Sequence, residues 1–463
     1  MTTTHDSTAA AISFWHEDAA LTGTPGSELP GDTTLDVAIV GAGYTGLWTA
    51  YYLAKADPNL RIGIIEKEFV GFGASGRNGG WCSAIFPTSF RKVASGSGRS
   101  GAVEMQRAMF STVREIGSVI ASEAIDCDFE QGGYVSVARN TAQWARAQGE
   151  VRAWRDWGFD AEDMQLLSRE EASRRVAASD LHGATFTPHC AALHPAKLAG
   201  GLARVVRGLG VKIFEDTTVE AISERRLDTS RGVVRAEVIV RATEGYTADL
   251  PGAKRDLVPM YSLMVATAPL SDEQWAEIGL RQRETFSDKR HLRIYGQRTA
   301  DGRLAFGGRG APYHFGSRIR PEYDNDARVH AMLRNILTEI FPSIGGVEFT
   351  HAWGGNLGIP RDWYPSVGYD RRRGFAQAGG YVGDGVATAH LAGRTLAAEI
   401  VDLDDPVRAL PWAGRQSPKW EPEPFRWLGV NAGTMAFSIA DRTESSSGKP
   451  SRLASSFWRV LGH

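Results

Sequence analysis

The chain has 463 residues, too many for one ordinary domain and enough for two sizeable cores. Its 52 Lys and Arg against 54 Asp and Glu leave a formal charge of −2, so no sequence-wide positive field draws it to nucleic acid or anionic lipid, and a small-molecule partner is expected. Cys82, Cys127 and Cys190 are scattered and form no CxxC pair, which argues against a disulfide framework or a zinc site and reads as buried thiols.

The N-terminus has no basic start followed by an apolar run, and no later stretch reaches the roughly 18 apolar residues of a membrane helix. A cytoplasmic chain without a membrane partner is expected. Thr34 to Val40 reads as a strand, Gly46 to Lys55 as a helix and Arg61 to Glu66 as a second strand, a βαβ opening. A long helical pattern from Ala102 to Ala124 precedes the strand-like GGYVSVA, where Tyr134, Val135 and Val137 suit β structure. Ser168 and Glu171 have capping-box spacing ahead of another helix. Pro195 suits a helix's first turn, Gly210 can end that helix, and Val211 to Glu215 returns as a strand of the first sheet. After GVVRAEVIVRAT, the region Arg255 to Thr350 contains LVPMYSLMVAT and GRLAFGG and reads as a separate antiparallel layer. Phe375 to Ala378 reads as a last strand and Val386 to Val401 as a helix, while the polar DRTESSSGKPSR is expected to be mobile or to lie on the surface.

Chemistry enters with VAIVGAGYTGLWTAYYLAKADPNLRIGIIEK. Gly41, Gly43 and Gly46 match GxGxxG, allowing a tight turn, a close approach of backbone to a pyrophosphate, and close packing of helix on strand. The helix that follows turns its amides toward phosphate, and Glu66, about 20 residues on, can accept hydrogen bonds from a ribose. Lys67 suits either the same site or solvent. Strand, glycines, helix, strand and acid together point to a dinucleotide on a Rossmann-like domain.

GFGASGRNGGW, from Gly71 to Trp81, then argues for a flavin rather than a nicotinamide, because a ring carried beyond the pyrophosphate must be approached by bare backbone, and Arg77 and Asn78 add donors. Near the other end GGYVGDG precedes a helix whose N-terminus would favour negative charge on a reduced ring. Asp384 opposes such a charge, so N-capping is its expected role.

GAGYTG with Glu66, GASGRNGG, HPAKLAGGLA with TTV, ATEGYT, WGGNLGIPRDWYPSVG and GYVGDGVATAHLAGRTLAAEI together resemble the D-amino-acid oxidase and glycine oxidase superfamily of FAD-dependent oxidoreductases. The likeness is greatest to its gamma-glutamylputrescine oxidase-like branch and runs from about Phe14 to Val401. It implies an α/β fold: a Rossmann-like FAD-binding domain built from 14–100, 181–250 and 351–401, a helical insertion at 101–180, a mostly antiparallel substrate domain at 251–350 and an extension at 402–463. By that resemblance Gly41, Gly43, Tyr44, Thr45, Gly46, Glu66 and Lys67 hold the ADP half, and Val219 meets the adenine through its backbone. Ser75, Arg77, Asn78, Gly79, Gly80 and Trp81 serve the pyrophosphate and ring edge, and Gly354, Gly355, Gly383, Asp384, Gly385, Val386 and Ala387 surround the ring. Arg77 stands about where some relatives carry a linking His, and no Cys follows Gly354, so non-covalent FAD is expected.

The resemblance further implies oxidation of a C–N bond: hydride passes from the carbon beside an amine to flavin N5, the imine hydrolyses to aldehyde or keto acid plus amine, and O2 becomes H2O2. Trp353, Asn356 and Tyr381 are the catalytic candidates, and Trp81, Tyr261 and Met264 could line an amine pocket, although aromatic residues on strands equally suit plain core. Arg293 and Arg309 could clamp a carboxylate or phosphonate, or lie on the surface. No histidine spacing suggests a metal ligand set. An amine oxidase leads. A dehydrogenase, a hydroxy-acid oxidase and a flavoprotein subunit with structural FAD are the alternatives, and oligomeric state is open.

Overall fold

The computed structural model describes residues 12–19, 26–451 and 454. Thr33–Val40 is the axis of the first sheet, paired in parallel with Gly232–Arg241 on one side and Ile62–Ile65 on the other. Lys212–Phe214 continues in parallel beyond Ile62–Ile65, Phe375–Gly379 continues beyond Gly232–Arg241, and Ser366–Asp370 closes that edge antiparallel. Val37 to Val40 are all buried, as expected for parallel strands covered on both faces. Helices Tyr44–Ala56, Pro195–Gly208 and Gly385–Ile400 share one core with Val37, Ile39, Ile62 and Ile64. Gly393 sets the spacing of two of them, because a methyl there would fall 2.6 Å from the Trp48 Cβ.

The second sheet runs Phe349–Ile359, Val258–Thr267, Leu304–Gly308, Ile294–Arg298, Thr285–Asp288, Tyr134–Ala138, Gly183–Thr187, Gln165–Ser168. Its described pairings are antiparallel except that of Thr285–Asp288 with Tyr134–Ala138. Helix Ala327–Ile340 lays Leu333, Leu337 and Ile340 on the same core as Leu263, Val265 and Phe306. This is the α/β architecture with a second, mostly antiparallel sheet that the sequence implied. No described helix is long and apolar enough to cross a membrane.

Local chemistry explains several boundaries. The Ser168–Glu171 capping box forms in both directions, and His194 caps Pro195–Gly208 by accepting from the Lys197 amide at 3.2 Å. The three cysteines are free and buried. Two expectations differ from the structure. The helix expected from Ala102 begins at Phe90, with Gly98 at φ 72° breaking its path, so its glycine-rich first turns carry little apolar signal. The polar stretch after Ile439 is not loose up to Ser447; it completes a helix, Phe425–Ser447. Asp441 accepts from the backbone amides of His291 and Leu292 at 2.7 and 2.9 Å, and Glu444, 2 % exposed, pairs with Arg146 at 2.6 Å. Most of its polar residues stay on the surface, as expected, while Asp441 and Glu444 are held by partners remote in sequence, which apolar periodicity does not register.

Candidate active site

One continuous cavity of about 1300 Å³ runs between the two sheets. That exceeds the volume of an ordinary ligand pocket and suits a long ligand together with a second small molecule. Its floor starts at the turn after Thr33–Val40, where Gly41 has φ +105° and a side chain would fall 2.8 Å from the Ala242 carbonyl oxygen. Helix Tyr44–Ala56 begins beside it with Gly43 as a cap that offers no side-chain acceptor. Ser75 Oγ accepts from the Tyr44 amide at 2.9 Å. The amide-lined start of this helix, with glycine in place of a capping side chain, is the kind of cradle a pyrophosphate requires.

Glu66 stands at the end of Ile62–Ile65 and accepts from the amides of Ala42 at 2.7 Å and Glu68 at 3.0 Å. Enclosure holds its carboxyl up at about 7 against those two bonds. Lys67, paired with Glu68 at 3.6 Å, and Val219 line the same end.

The Ser75–Trp81 loop is bolted down from several sides. Arg77, 5 % exposed, gives Nη1 to Asp324 at 2.7 Å and Nε to the Phe72 carbonyl at 2.7 Å, and its guanidinium covers the Phe72 ring at 4.5 Å. Asn78 ties the loop to itself through Ala74, Ser75 and Gly80. Gln297 donates to the carbonyls of Gly79 at 2.7 Å and Leu193 at 3.0 Å. A side chain on Gly80 would fall 2.0 Å from that amide nitrogen. Tyr295 covers Gly79, and its hydroxyl bonds Ser262 at 2.8 Å. Trp81 packs against Tyr295 and Tyr134, with ring centroids 5.9 and 4.9 Å away.

At the far end, helix Gly385–Ile400 also starts at the cavity, with Gly383, Asp384, Gly385 and Val386 in its lining. Glu244 shapes this corner by accepting from the amides of Gly380 and Tyr381, both at 3.0 Å, and from Gly358. Asp384 occupies the N-cap position without making a cap bond, contrary to the role expected for it. Burial holds its carboxyl up at about 6 against the pull of Arg293 and Arg309. Arg309 donates to the Val382 carbonyl and lies over Trp363 at 5.5 Å. Burial and the neighbouring Arg293 lower its proton affinity to about 10.

The cavity thus brings together Gly41, Gly43, Tyr44, Thr45, Glu66, Lys67, Ser75, Arg77, Asn78, Gly79, Trp81, Val219, Arg293, Arg309, Gly355, Asn356, Tyr381 and Gly383 to Val386. Gly46 and Gly80 act one layer behind, through close backbone approach. Others lie elsewhere. Trp353 is 2 % exposed among Phe14, Trp15 and Met264, and donates to the Arg77 carbonyl at 2.9 Å. Gly354 abuts the Asp324 backbone, and Ala387 is inside its helix. Tyr261 faces away from the cavity, its hydroxyl taking the Arg320 amide at 3.2 Å, because Met260 and Ser262 hold the inward positions of that strand. Tyr381 lines the wall with its hydroxyl already engaged by Thr45 at 2.9 Å.

The cavity also has walls that the sequence reading did not assign. Glu244 and Tyr295 carried no motif of their own, although Glu244 lies inside ATEGYT, and neither did Gln297, which sits behind the wall and holds Gly79. Phe425, Gly429, Val430, Gly433 and Phe437 form a wall from the C-terminal helix, which the apolar spacing of this stretch did not mark, because Leu428, Met435 and Ile439 lie on its exposed face.

Two helix N-termini whose N-cap residues make no side-chain cap bond, a carboxyl group at the end of the second strand and bare glycine backbone fit the requirements of FAD in this cavity. The family model described as FAD dependent oxidoreductase matches residues 36–399. Gamma-glutamylputrescine oxidoreductase of Escherichia coli is 31% identical over 370 residues, 79% of this chain and 83% of that protein. The crystal structure of glycine oxidase from Geobacillus kaustophilus superposes with a TM-score of 0.70 at 22% identity, covering 83% of this chain and 100% of the other. L-proline dehydrogenase from P. horikoshii gives 0.68 at 19%, covering 83% and 98%. The match over 36–399, which spans the glycine turns and the carboxyl group of the cavity floor, shows that the chain belongs to the DAO family of FAD-dependent oxidoreductases.

Proposed function

We propose that the protein is an FAD-dependent amine oxidase acting on a primary or secondary amine that also bears an anionic group. The observation that carries this reading is the junction of a dinucleotide floor with a chamber lined by Trp81, Tyr134, Tyr295, Arg293, Arg309 and Asp384. FAD, when bound, supplies a two-electron acceptor for the hydrogen on the carbon beside the amine and passes the electrons to O2 as H2O2. The start of helix Tyr44–Ala56 and Glu66 would hold the dinucleotide, while the start of helix Gly385–Ile400 would offer positive partial charge to a reduced ring. Trp81 and Tyr295 restrict the amine's carbon skeleton to one orientation, which supplies proximity. Arg293 and Arg309 receive the anionic group. No cysteine lines the described cavity, and its histidine, His291, is held by Glu444 at 3.0 Å, which supports dissociable FAD.

The test is an anaerobic titration of the holoprotein with gamma-glutamylputrescine, glycine, N-methylglycine and L-proline. Bleaching of the flavin band by one amine, reversed by air with peroxide formed, is the expected result. Bleaching that reverses with a quinone but not with air identifies a dehydrogenase. A band unmoved by every amine overturns the reading.

FAD retention is expected to depend on pH through Glu66. In the FAD-free chain its carboxyl stands at about 7, whereas ribose hydroxyls donate to the ionised form. Binding therefore releases a proton, and affinity weakens by up to about tenfold for each pH unit below that value. Fluorescence titration of apoprotein from pH 5.5 to 8.5 measures this, and Glu66→Gln is expected to flatten the slope.

A further inference from the structure

Carboxylates in the chamber mostly have partners. Glu150 is held by Lys289, Asp288 by Arg290 at 2.7 Å and Glu421 by Arg361 at 2.8 Å. Glu244 is occupied by three backbone amides. Asp384 differs. It sits between Gly383 and Gly385 in the lining, and its carboxylate makes neither a cap bond nor an ion pair among the described residues.

The charged and titratable groups that act on it come from three other segments. Arg293 and Arg309 face it from the antiparallel sheet and the Cys190 thiol from the Cys190–Ala192 strand, while Tyr381, on its own turn, is bonded to Thr45. Arg309 is fixed by the Val382 carbonyl and Trp363. Arg293 makes no side-chain hydrogen bond or ion pair among the described residues and is exposed to the cavity. Two guanidiniums and one unpaired carboxylate therefore converge with an excess positive charge. An anionic group satisfies the arginines, and a hydrogen-bond donor satisfies Asp384.

The oxidation proposed above needs a neutral amine, because its lone pair must stabilise the carbon that loses hydrogen, yet in water near pH 7 an aliphatic amine is a cation. We propose that Asp384 receives the substrate ammonium and takes its proton. The N–H bond breaks, its electron pair remains on nitrogen, and an O–H bond forms on the carboxylate; water receives that proton when product leaves. Repulsion from Arg293 and Arg309 weakens the ammonium's hold on its proton. The Asp384 carboxyl, held up at about 6, remains ionised at neutral pH and is a stronger acceptor than an exposed aspartate.

This inference rests on the amine oxidase reading, and the experiment separates the two. Holoprotein, Asp384→Asn and Asp384→Glu are matched for FAD content and visible spectrum, then mixed anaerobically with the panel amine that bleaches the wild type fastest, from about pH 5 to 9. Wild-type bleaching at low amine concentration is expected to rise through about pH 6. Asp384→Asn is expected to bleach about 100-fold more slowly at pH 7, to lose that limb, and to recover only toward the amine's own pKa, with Asp384→Glu restoring much of the rate. An Asp384→Asn protein with the wild-type pH profile and a rate within about threefold overturns the inference and leaves the amine oxidase reading intact. A wild type that no amine bleaches overturns both.

Discussion

Gly46→Ala is expected to yield protein that purifies without its yellow colour. A methyl at this position would fall 2.0 Å from the Gly41 carbonyl oxygen and 3.2 Å from Ile39 Cγ2. The nearer obstacle is backbone, so no side chain can rotate away. Either helix Tyr44–Ala56 rises off the sheet or the Gly41 turn flattens, and both displace the amides proposed to cradle the pyrophosphate. Overpacking of this kind costs about 1–3 kcal/mol of stability. Because the displaced atoms are also the ligand's donors, FAD affinity is expected to fall by at least about 100-fold, as if one or two charge-assisted hydrogen bonds were lost. Absorbance of the purified protein and FAD titration of the apoprotein measure the two effects separately. Retained FAD with wild-type affinity would contradict the role given to this crossing.

Arg77→Met is expected to destabilise the fold by about 3 kcal/mol, near the lower end for breaking a buried pair because the Asp324 side chain is 23% exposed. Its guanidinium serves Asp324, the Phe72 carbonyl and the Phe72 ring together, and methionine replaces only the apolar part. Asp324 is left as a half-buried carboxylate with no counterion. Its carboxyl is held up at about 6 even with Arg77 present, so without it the carboxyl moves higher still. Since the protonated form carries no charge to strand, the loss is expected to be smaller at pH 5 than at pH 8. Urea unfolding at both values checks the sign, and Arg77→Met with Asp324→Leu is expected to recover part of the loss.

What the sequence disclosed divides along physical lines. Gly41, Gly43, Gly46 and Glu66 were legible because the constraint they satisfy is local: one turn and one strand end fix the geometry, whatever surrounds them. The two sheets were legible because period-two and continuous apolar runs follow from burial on one or both faces. Tyr261 was not, since an aromatic strand residue differs from its neighbour Ser262 only by which face the sheet turns inward, and that is set by pairing with a distant strand. Trp353 was misplaced for the same reason, and although Arg77 does line the cavity, its ion pair with Asp324, far along the chain, was not legible. Asp384 looked like a helix cap because its position in sequence is that of one. Only the tertiary structure shows its carboxylate standing free beside two arginines.

The wall contributed by Phe425–Ser447 has a consequence for how this protein can diverge. The family match ends at residue 399, so the wall from Phe425 to Phe437 is encoded outside the stretch that carries the glycine turns and the other chamber residues. Phe425, Gly429, Gly433 and Phe437 can change in size without disturbing Gly41, Glu66 or Gly383. Selectivity for the length and bulk of a substrate can drift, or be redesigned, by exchanging one helix, while the machinery that handles electrons is inherited unchanged.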